Sequence, residues 1–456
     1  MPDSKNNFHP ITKKRRPVKL SATRMIALVF AGIILLGTTL LMLPISSKGA
    51  PASFLDALFT ATSATCVTGL VVGDTGTLWS GFGQAVIITL IEIGGLGFMS
   101  AATMMVILLR KKVGLRQRMM IAQSLSLDDM DSVVRIQKLV VGGSLAIQGA
   151  GALILFLRFL PDFGIKTAAK WGLFHAVSAF CNAGFDIFGQ NNSVMGFQHD
   201  PVVMLTLMLL VVIGGLGFLV WEEVTRVRQF KKFSVYTKLV LITTGVLLLS
   251  GAVMTLALEW NNPGTLGPMN WGGKILNSFF QSVTLRTAGF AGIDQAQLTD
   301  GSKAISVVLM LIGGCSGSTA GGLKTVTFMV LLLFMGTRIR GKDTVNVFKR
   351  QIPNEKVLDA MTIATVMMAL CMAGAIFITV TSPISFIDSI YESASALGTV
   401  GLTAGATSLL SLPAKIMIIV FMYFGRVGVL TLSMGFLTAD KAQQRFRYAK
   451  TNLLIG

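Results

Sequence analysis

The sequence has 456 residues, of which 52% are hydrophobic and only 13% charged, and its mean hydropathy is +0.70. Soluble domains carry about 25% charged residues. This composition therefore excludes an ordinary soluble enzyme, and four cysteines are too few for a disulfide scaffold. The class that remains is an all-α, polytopic membrane protein.

Apolar runs of about 20 residues are long enough to cross a bilayer as helices. The sequence predicts eight spans, at 25–43, 82–109, 139–160, 201–221, 239–258, 304–335, 357–380 and 413–437. The first run is too long for a signal peptide, and no cleavage site follows it. The sixth run is interrupted by glycine and serine residues.

The distribution of basic residues predicts the orientation. A net charge of +18 would point to nucleic acid in a soluble protein, but here the charge follows the positive-inside rule. Of the 39 Lys and Arg residues, 29 fall in segments on one predicted side, namely 1–24, 110–138, 223–238, 336–356 and 438–456. We therefore expect a multi-pass protein of the plasma (inner) membrane with both termini cytoplasmic and no nucleic-acid partner.

Four predicted external segments share one pattern, in which an aromatic residue lies ten residues before a glycine and small or hydroxylated residues lie between. These segments are Phe59–Gly69, Phe174–Gly184, Phe279–Gly289 and Tyr391–Gly401. They recur at intervals of 115, 105 and 112 residues. The chain therefore divides into four predicted repeats, 25–110, 138–222, 238–336 and 357–437, between a basic N-terminal segment, 1–24, and a C-terminal tail, 438–456.

Each repeat reads as helix, external half-helix, glycine-bearing loop and helix. The half-helices are too short to span, and irregular backbone at membrane depth is tolerated only inside protein or beside water. Four such loops predict a pseudo-fourfold cavity. Glycine clusters recur in the second helix of each repeat, at 94–97, 214–217, 313–314 and 425–428. For the first two clusters, close helix packing is an alternative reading.

Glycine allows a positive φ without steric cost, so each loop could turn its carbonyl groups toward a shared axis. Rings of carbonyl oxygens can replace the hydration shell of a monovalent cation. The four residues that end at each glycine include no carboxylate, which fits K⁺ or Na⁺ better than Ca²⁺. The alternative is four external turns that happen to contain glycine.

The four loops resemble the degenerate selectivity filters of the Trk/Ktr/HKT potassium transporter superfamily, and the resemblance extends from about residue 20 to the C-terminus. It is strongest to the membrane subunit of Ktr systems (KtrB). It implies K⁺ coordination by backbone carbonyl groups at Cys66, Val67, Thr68, Gly69, Cys181, Asn182, Ala183, Gly184, Arg286, Thr287, Ala288, Gly289, Gly398, Thr399, Val400 and Gly401.

The resemblance also implies partners and regulation. Members of this superfamily form homodimers with one K⁺ pathway in each protomer, and a cytoplasmic ring of RCK type (KtrA-like) binds ATP and ADP. Na⁺ often stimulates transport in Ktr systems. Because no cytoplasmic segment of this chain exceeds about 30 residues, we expect no nucleotide site on the chain itself.

Residues 312–325 interrupt the sixth span with five glycines and several hydroxyl side chains, which a regular helix does not tolerate. The resemblance identifies them as an intramembrane gating loop, and the alternative is a packing kink. The predicted gate residues are Gly313, Gly314, Cys315, Ser316, Gly317, Ser318, Thr319, Ala320, Gly321, Gly322, Lys324 and Arg426. The segment nearly matches a phosphate-binding loop, but Leu323 separates the second glycine from the lysine.

Arg426 lies in the middle of the last span, where a charge is expensive and usually faces a cavity. We expect it below the loops as a positive barrier to cation flow, and the alternative is a snorkelling or structural arginine. Glu92 is a candidate partner for it. Lys324 is expected near the cytoplasmic interface.

Together these features predict a K⁺ uptake subunit that is not an enzyme. The nearest alternative is a Na⁺-permeable or Na⁺-coupled member of the same superfamily. In its plant branch, serine at the first filter glycine accompanies Na⁺ selectivity, whereas all four positions are glycine here. A membrane enzyme would need a polar catalytic cluster that the sequence lacks, and a structural scaffold would not explain the broken span.

Overall fold

The computed structural model describes residues 22–97 and 133–428. The predicted tail 438–456, most of the segments 1–24 and 110–138, and the inner ends of the spans predicted at 82–109 and 413–437 lie outside the described residues. Within the described residues, loops and short 3₁₀ turns connect the α-helices, and the strands form one antiparallel hairpin, β1 (Asn346–Val347) and β2 (Arg350–Gln351).

Fourteen α-helices are described. They are α1 (Ala22–Leu41), α2 (Phe54–Thr65), α3 (Thr75–Leu78), α4 (Gly81–Leu96), α5 (Val133–Phe180), α6 (Pro201–Leu216), α7 (Phe218–Val227), α8 (Val235–Glu259), α9 (Trp271–Thr284), α10 (Asp300–Leu311), α11 (Thr325–Ile339), α12 (Asn354–Thr381), α13 (Phe386–Gly398) and α14 (Leu412–Val427).

The first helix of each repeat is continuous. Four described stretches are long and apolar enough to cross a membrane, Arg24–Leu41, Leu139–Phe180, Val235–Glu259 and Asn354–Thr381, and they confirm four of the predicted spans. The second stretch joins a span to a half-helix, because Gly164 leaves helical geometry (φ 72°, ψ 167°) and divides α5 there.

The half-helices begin at side chains that satisfy free backbone N–H groups. Ser53, Asn270 and Ser385 each accept a hydrogen bond from the N–H three residues further on, at the starts of α2, α9 and α13. Such caps contribute about 1 kcal/mol each. Residues from Ala57 in α2 and from Ser389 in α13 onward are mostly buried, so these polar helices pack inside the protein.

The second helix of three repeats ends at a glycine. Gly97, Gly217 and Gly428 follow α4, α6 and α14 with φ of 80°, 94° and 92°. After Gly217 the chain turns by 94° into α7, so the continuous helix predicted over 201–221 is wrong. The sequence analysis placed a break only in the sixth span, whereas α4, α6 and α14 each end at a glycine, because glycine permits a positive φ there.

The preceding glycines allow close packing against the half-helices. A Cβ added to Gly94 or Gly214 would lie 2.0 Å from the carbonyl oxygen of Thr65 or Phe180, and one on Gly425 would lie 2.3 Å from that of Leu397. Close helix packing, the alternative given for the first two glycine clusters, therefore applies to Gly94 and Gly214. The core lies where the half-helices meet these helices, and aliphatic side chains such as Leu35 and Leu209 are exposed on the outside.

Candidate functional site

The four predicted loops follow directly from the ends of α2, α5, α9 and α13, and all sixteen predicted filter residues are buried. Their backbone follows one pattern. The residue two before each glycine has a positive φ, with values of 56° at Val67, 59° at Asn182, 66° at Thr287 and 52° at Thr399. The glycines themselves have φ of 100°, 69°, 82° and 94°. Left-handed β-branched residues are strained and persist only where the surroundings fix them.

The four loop glycines form a closed ring. A Cβ added to each would strike the carbonyl oxygen that precedes the glycine of the next loop, and the contacts run in cyclic order. The distances would be 2.5 Å from Gly69 to Ala183, 2.8 Å from Gly184 to Ala288, 2.4 Å from Gly289 to Val400 and 2.1 Å from Gly401 to Thr68. No side chain fits at any of the four positions, so the repeats surround one narrow axis.

Hydroxyl groups of the half-helices brace the loops. Ser63 and Ser395 accept hydrogen bonds from the N–H groups of Gly69 (3.1 Å) and Gly401 (3.0 Å). Ser178 donates to the carbonyl oxygen of Phe185 at 2.7 Å. All three serines lie six residues before their glycine. The third repeat has valine at that position.

In the third repeat the adjacent residue replaces the missing serine. Thr284 donates to the carbonyl oxygen of Phe290 at 2.7 Å. The sequence analysis missed these braces, although the fixed distance between serine and glycine in three repeats was a signal for them.

A second set of side chains connects the half-helices to the chain beyond the loops. His175 accepts from the N–H of Ile187 at 3.3 Å. Gln281 exchanges two hydrogen bonds with Gln295 (2.7 and 3.0 Å), to which Tyr391 also donates at 2.9 Å. These hydrogen bonds fix the chain that follows the ring glycine in the second and third loops.

Glu392 does the same in the fourth repeat. Its buried carboxylate accepts hydrogen bonds from the hydroxyls of Thr403, at 2.8 Å, and Thr407. Each carboxylate oxygen of Glu392 thus accepts a hydrogen bond from a threonine of the same chain. Glu392 lies in the half-helix, next to the aromatic residue of the fourth pattern, and the sequence analysis did not identify it as a brace.

The interrupted part of the sixth span, residues 312–325, is here called the broken segment. It lies between α10 and α11 and packs against the loops. The Thr319 hydroxyl lies 3.1 Å from the side-chain amide of Asn182 and donates to the carbonyl oxygen of Phe180 at 3.2 Å. A Cβ on Gly321 would lie 2.0 Å from Oγ1 of Thr399. The broken segment therefore contacts the second and fourth loops.

The turn between α6 and α7 also contacts the broken segment. The N–H of Cys315 donates to the carbonyl oxygen of Gly215 at 3.1 Å, and the N–H of Phe218 donates to that of Gly317 at 2.9 Å. The hydroxyl of Tyr236 in α8 donates to the carbonyl oxygen of Ser316 at 2.9 Å. The segment is thus an ordered part of the fold.

Arg426 joins the broken segment to the first repeat. Its guanidinium donates to the carbonyl oxygen of Thr319 and to those of Gly94 and Gly95, the last at 3.0 Å. Lys324 donates to the carbonyl oxygen of Ala320 at 2.8 Å. Both cations line a cavity of about 830 Å³, together with Gly317 and Ser318 of the broken segment.

Glu92 does not pair with Arg426 in this structure. Its carboxylate accepts hydrogen bonds from Gln148 at 3.0 Å and from the Cys181 thiol at 3.3 Å. Arg426 bonds instead to backbone carbonyl groups. Among the described residues, no group of three His, Cys, Asp or Glu side chains could hold a metal ion.

The ring and the apolar helices define a multi-pass membrane protein whose four buried loops meet around one axis. Comparison with known proteins adds that it belongs to the cation transporters and is not an enzyme. The family model "TrkH: Cation transport protein" matches residues 5–445. The chain belongs to this family.

Relatives match over almost the whole chain. The Ktr system potassium uptake protein B of Bacillus subtilis (strain 168) is 41% identical over 96% of this chain and 98% of its own length. The potassium/sodium uptake protein NtpJ of Enterococcus hirae is 39% identical over 98% and 100%. The crystal structure of the potassium transporter TrkH from Vibrio parahaemolyticus matches with a TM-score of 0.70 at 18% identity, over 92% of this chain and 86% of that one. This structural likeness shows a common fold.

Proposed function

We propose that this protein takes up K⁺ through the ring of its four glycine loops. The observation that carries the proposal is the closed ring, in which each glycine faces the carbonyl oxygen before the next glycine. Carbonyl oxygens around a narrow axis can replace the water that a cation leaves behind. The potassium uptake proteins among the relatives support the choice of ion.

A Na⁺-permeable or Na⁺-coupled transporter is the second candidate. It is supported by the potassium/sodium uptake protein among the relatives. It is also supported by the loop sequences, because only the fourth loop has the Thr399-Val400-Gly401 order of K⁺ channel filters. Glycine at all four ring positions favours K⁺.

In this proposal eight spans surround the pseudo-fourfold pathway, both termini are cytoplasmic, and the repeats have the predicted bounds. The membrane potential drives K⁺ inward with about 2.3 kcal/mol per charge for each 100 mV. The broken segment and Arg426 close the inner end of the ring. The contacts of Thr319 with Asn182 and with Arg426 support this role.

We further propose that the protein acts as a homodimer with a KtrA-like cytoplasmic ring that binds ATP or ADP. The name of the Bacillus relative, a Ktr system protein, supports this partner. No nucleotide would bind to this chain, and Na⁺ would act as an activator or a second transported ion.

The test is uptake of radioactive rubidium and sodium into liposomes that contain the purified protein, with Gly289→Ser as the matched variant. Rubidium uptake that exceeds sodium uptake, with this preference lost in Gly289→Ser, supports the proposal. Equal fluxes of both ions in both proteins would overturn the K⁺ assignment. If no flux occurs, the measurement is repeated with the cytoplasmic ring added.

A further inference from the structure

One of the four loops has an unusual residue three positions before its glycine. This position is Cys66, Cys181 and Gly398 in the first, second and fourth repeats, and Arg286 in the third. The sequence analysis included Arg286 only for its backbone carbonyl. Its side chain is 7% exposed and leaves the loop toward the broken segment.

The guanidinium of Arg286 contacts both ends of that segment. Its Nη2 donates to the carbonyl oxygen of Gly313 and to Oγ1 of Thr325, each at 3.0 Å. The Thr325 hydroxyl donates to the same carbonyl oxygen at 3.2 Å. Three groups from two elements thus meet at one point, where the broken segment begins and ends.

Backbone hydrogen bonds also join the two ends of the broken segment, which are here called its base. The N–H of Gly313 donates to the carbonyl oxygen of Leu323 at 2.8 Å, and the N–H of Thr325 donates to that of Gly314 at 3.1 Å. The broken segment is therefore a loop whose two ends are joined. Arg286 holds the joined ends, whereas Arg426 holds the middle at Thr319.

The acceptors of Arg286 are neutral. Within the described part of the chain no carboxylate forms an ion pair with it, and its Nη1 has no hydrogen-bond partner there. Burying a charge without a counter-charge is strongly unfavourable. A neutral side chain would be less expensive here, so stability alone does not account for the arginine.

We propose that Arg286 is a positioning residue that clamps the base of the broken segment to the third loop, so that only the middle of the segment moves when the pathway opens. This inference rests on the proposed function, because it assumes that the broken segment is the gate. The clamp fixes the segment relative to the ring and transmits any displacement of its base to Thr287 and Gly289 in the same loop.

The clamp can be tested without transport, through the reactivity of Cys315. This thiol lies inside the broken segment and is 0% exposed. The rate of its modification by a small thiol reagent is measured in the purified full-length protein, after subtraction of the rate in Cys315→Ser. The variants are Arg286→Met, which removes the clamp, and Arg286→Lys, which keeps one donor group.

Arg286→Met should accelerate modification of Cys315 by roughly tenfold, with Arg286→Lys between it and the unmodified protein. The direction of the change is decisive. Removal of the guanidinium without release of the broken segment leaves this thiol buried, so a rate that is unchanged or slower overturns the clamp.

A second pair of variants decides the case if Arg286→Met does not fold. Thr325→Val removes the hydroxyl that Arg286 contacts, and Thr325→Ser keeps it. The valine variant should accelerate modification and the serine variant should not; equal rates in the two overturn the clamp. Where the double variant of Arg286→Met and Thr325→Val folds, its effect should be smaller than the sum of the two single effects, because the two changes share the contact between the guanidinium and Oγ1 of Thr325.

Ion flux separates this inference from the proposed function. If the clamp variants also lower the ratio of rubidium to sodium uptake several-fold, both proposals are supported. If the unmodified protein shows no preference for rubidium while Cys315 still responds, the K⁺ assignment fails and the clamp remains. If the unmodified protein prefers rubidium but the clamp variants do not change the modification rate of Cys315, the clamp fails and the K⁺ assignment remains.

Discussion

Gly401 in the last repeat faces the carbonyl oxygen of Thr68 in the first so closely that an added Cβ would lie 2.1 Å from that oxygen. This contact closes the ring, because it joins the two repeats that are furthest apart in the chain. Real Cβ atoms do not approach an oxygen within 3 Å. Glycine is therefore required at this position by the neighbouring loop as well as by its own φ of 94°.

Gly401→Ala should reduce rubidium uptake at least tenfold, because the methyl group must displace the Thr68 carbonyl group. The control is Gly405→Ala. Gly405 has a similar φ of 83° but no atom within 4 Å of an added Cβ, so this variant carries the cost of a left-handed alanine, about 1–2 kcal/mol, without the collision. Uptake is measured in liposomes at equal protein content. Equal losses in both variants would contradict the role of the ring contact.

The sequence predicted the half-helices and their loops well, because the pattern that starts at Phe59 and ends at Gly69 recurs in every repeat. It could not predict the braces. A buried serine in a helix can bond to its own helix or to a neighbouring loop, and only the tertiary fold decides which. Ser63 and Ser395 bond to loop N–H groups, whereas Ser278 donates within its own helix, to the carbonyl oxygen of Lys274.

Ser395→Ala should lower the ratio of rubidium to sodium uptake several-fold, because it leaves the buried N–H of Gly401 without its acceptor. An unsatisfied buried group costs about 1–3 kcal/mol, which the loop can avoid only by moving. Ser395→Thr keeps an acceptor at this position and should preserve more of the preference. Ser408→Ala, which removes an exposed hydroxyl bonded to Gly405, is the surface control. A ratio unchanged in Ser395→Ala would exclude the brace from selectivity.

Asp186, two residues beyond the ring glycine of the second loop and outside the spanning helices, should give uptake a dependence on pH. Burial, together with the nearby Asp74 carboxylate, raises the pKa of Asp186 to about 7. Its carboxyl group is therefore neutral at pH 6 and mostly charged at pH 8. A negative charge outside the ring attracts an approaching cation only weakly in water, so rubidium uptake should rise by roughly twofold over this range.

Asp186→Asn should abolish that rise and hold uptake near its value at low pH, because the amide remains neutral. The measurement varies the pH outside the liposomes while the internal pH is held constant. A rise that persists unchanged in Asp186→Asn would assign the titration to another group, and a fall in uptake toward pH 8 would reverse the sign of the effect.

The break in the fourth span shows a second limit of sequence analysis. Gly214 and Gly217 belong to one cluster and read alike, yet Gly214 packs against Phe180 while Gly217 ends the helix with a positive φ. A glycine that permits close packing and one that permits a turn have the same sequence signal. Their different roles follow from which carbonyl group lies opposite each of them.

Arg426→Gln should increase rubidium uptake by the protein alone, by roughly tenfold, without loss of its preference for rubidium. The guanidinium joins Thr319 of the broken segment to Gly94 and Gly95 of α4. Hydrogen bonds to a charged group contribute about 1.5–3 kcal/mol each, and a shorter neutral amide cannot form all three. The ring glycines are not touched by this change, so selectivity should remain.

The matched control for this prediction is Arg338→Gln, which removes an arginine that pairs with Asp343 on the surface. It should leave uptake unchanged. If Arg426→Gln raised rubidium and sodium uptake equally, Arg426 would support the ring rather than the gate. If uptake stayed at the level of the unmodified protein, the bond between Arg426 and Thr319 would not hold the pathway closed, and the broken segment would need another restraint.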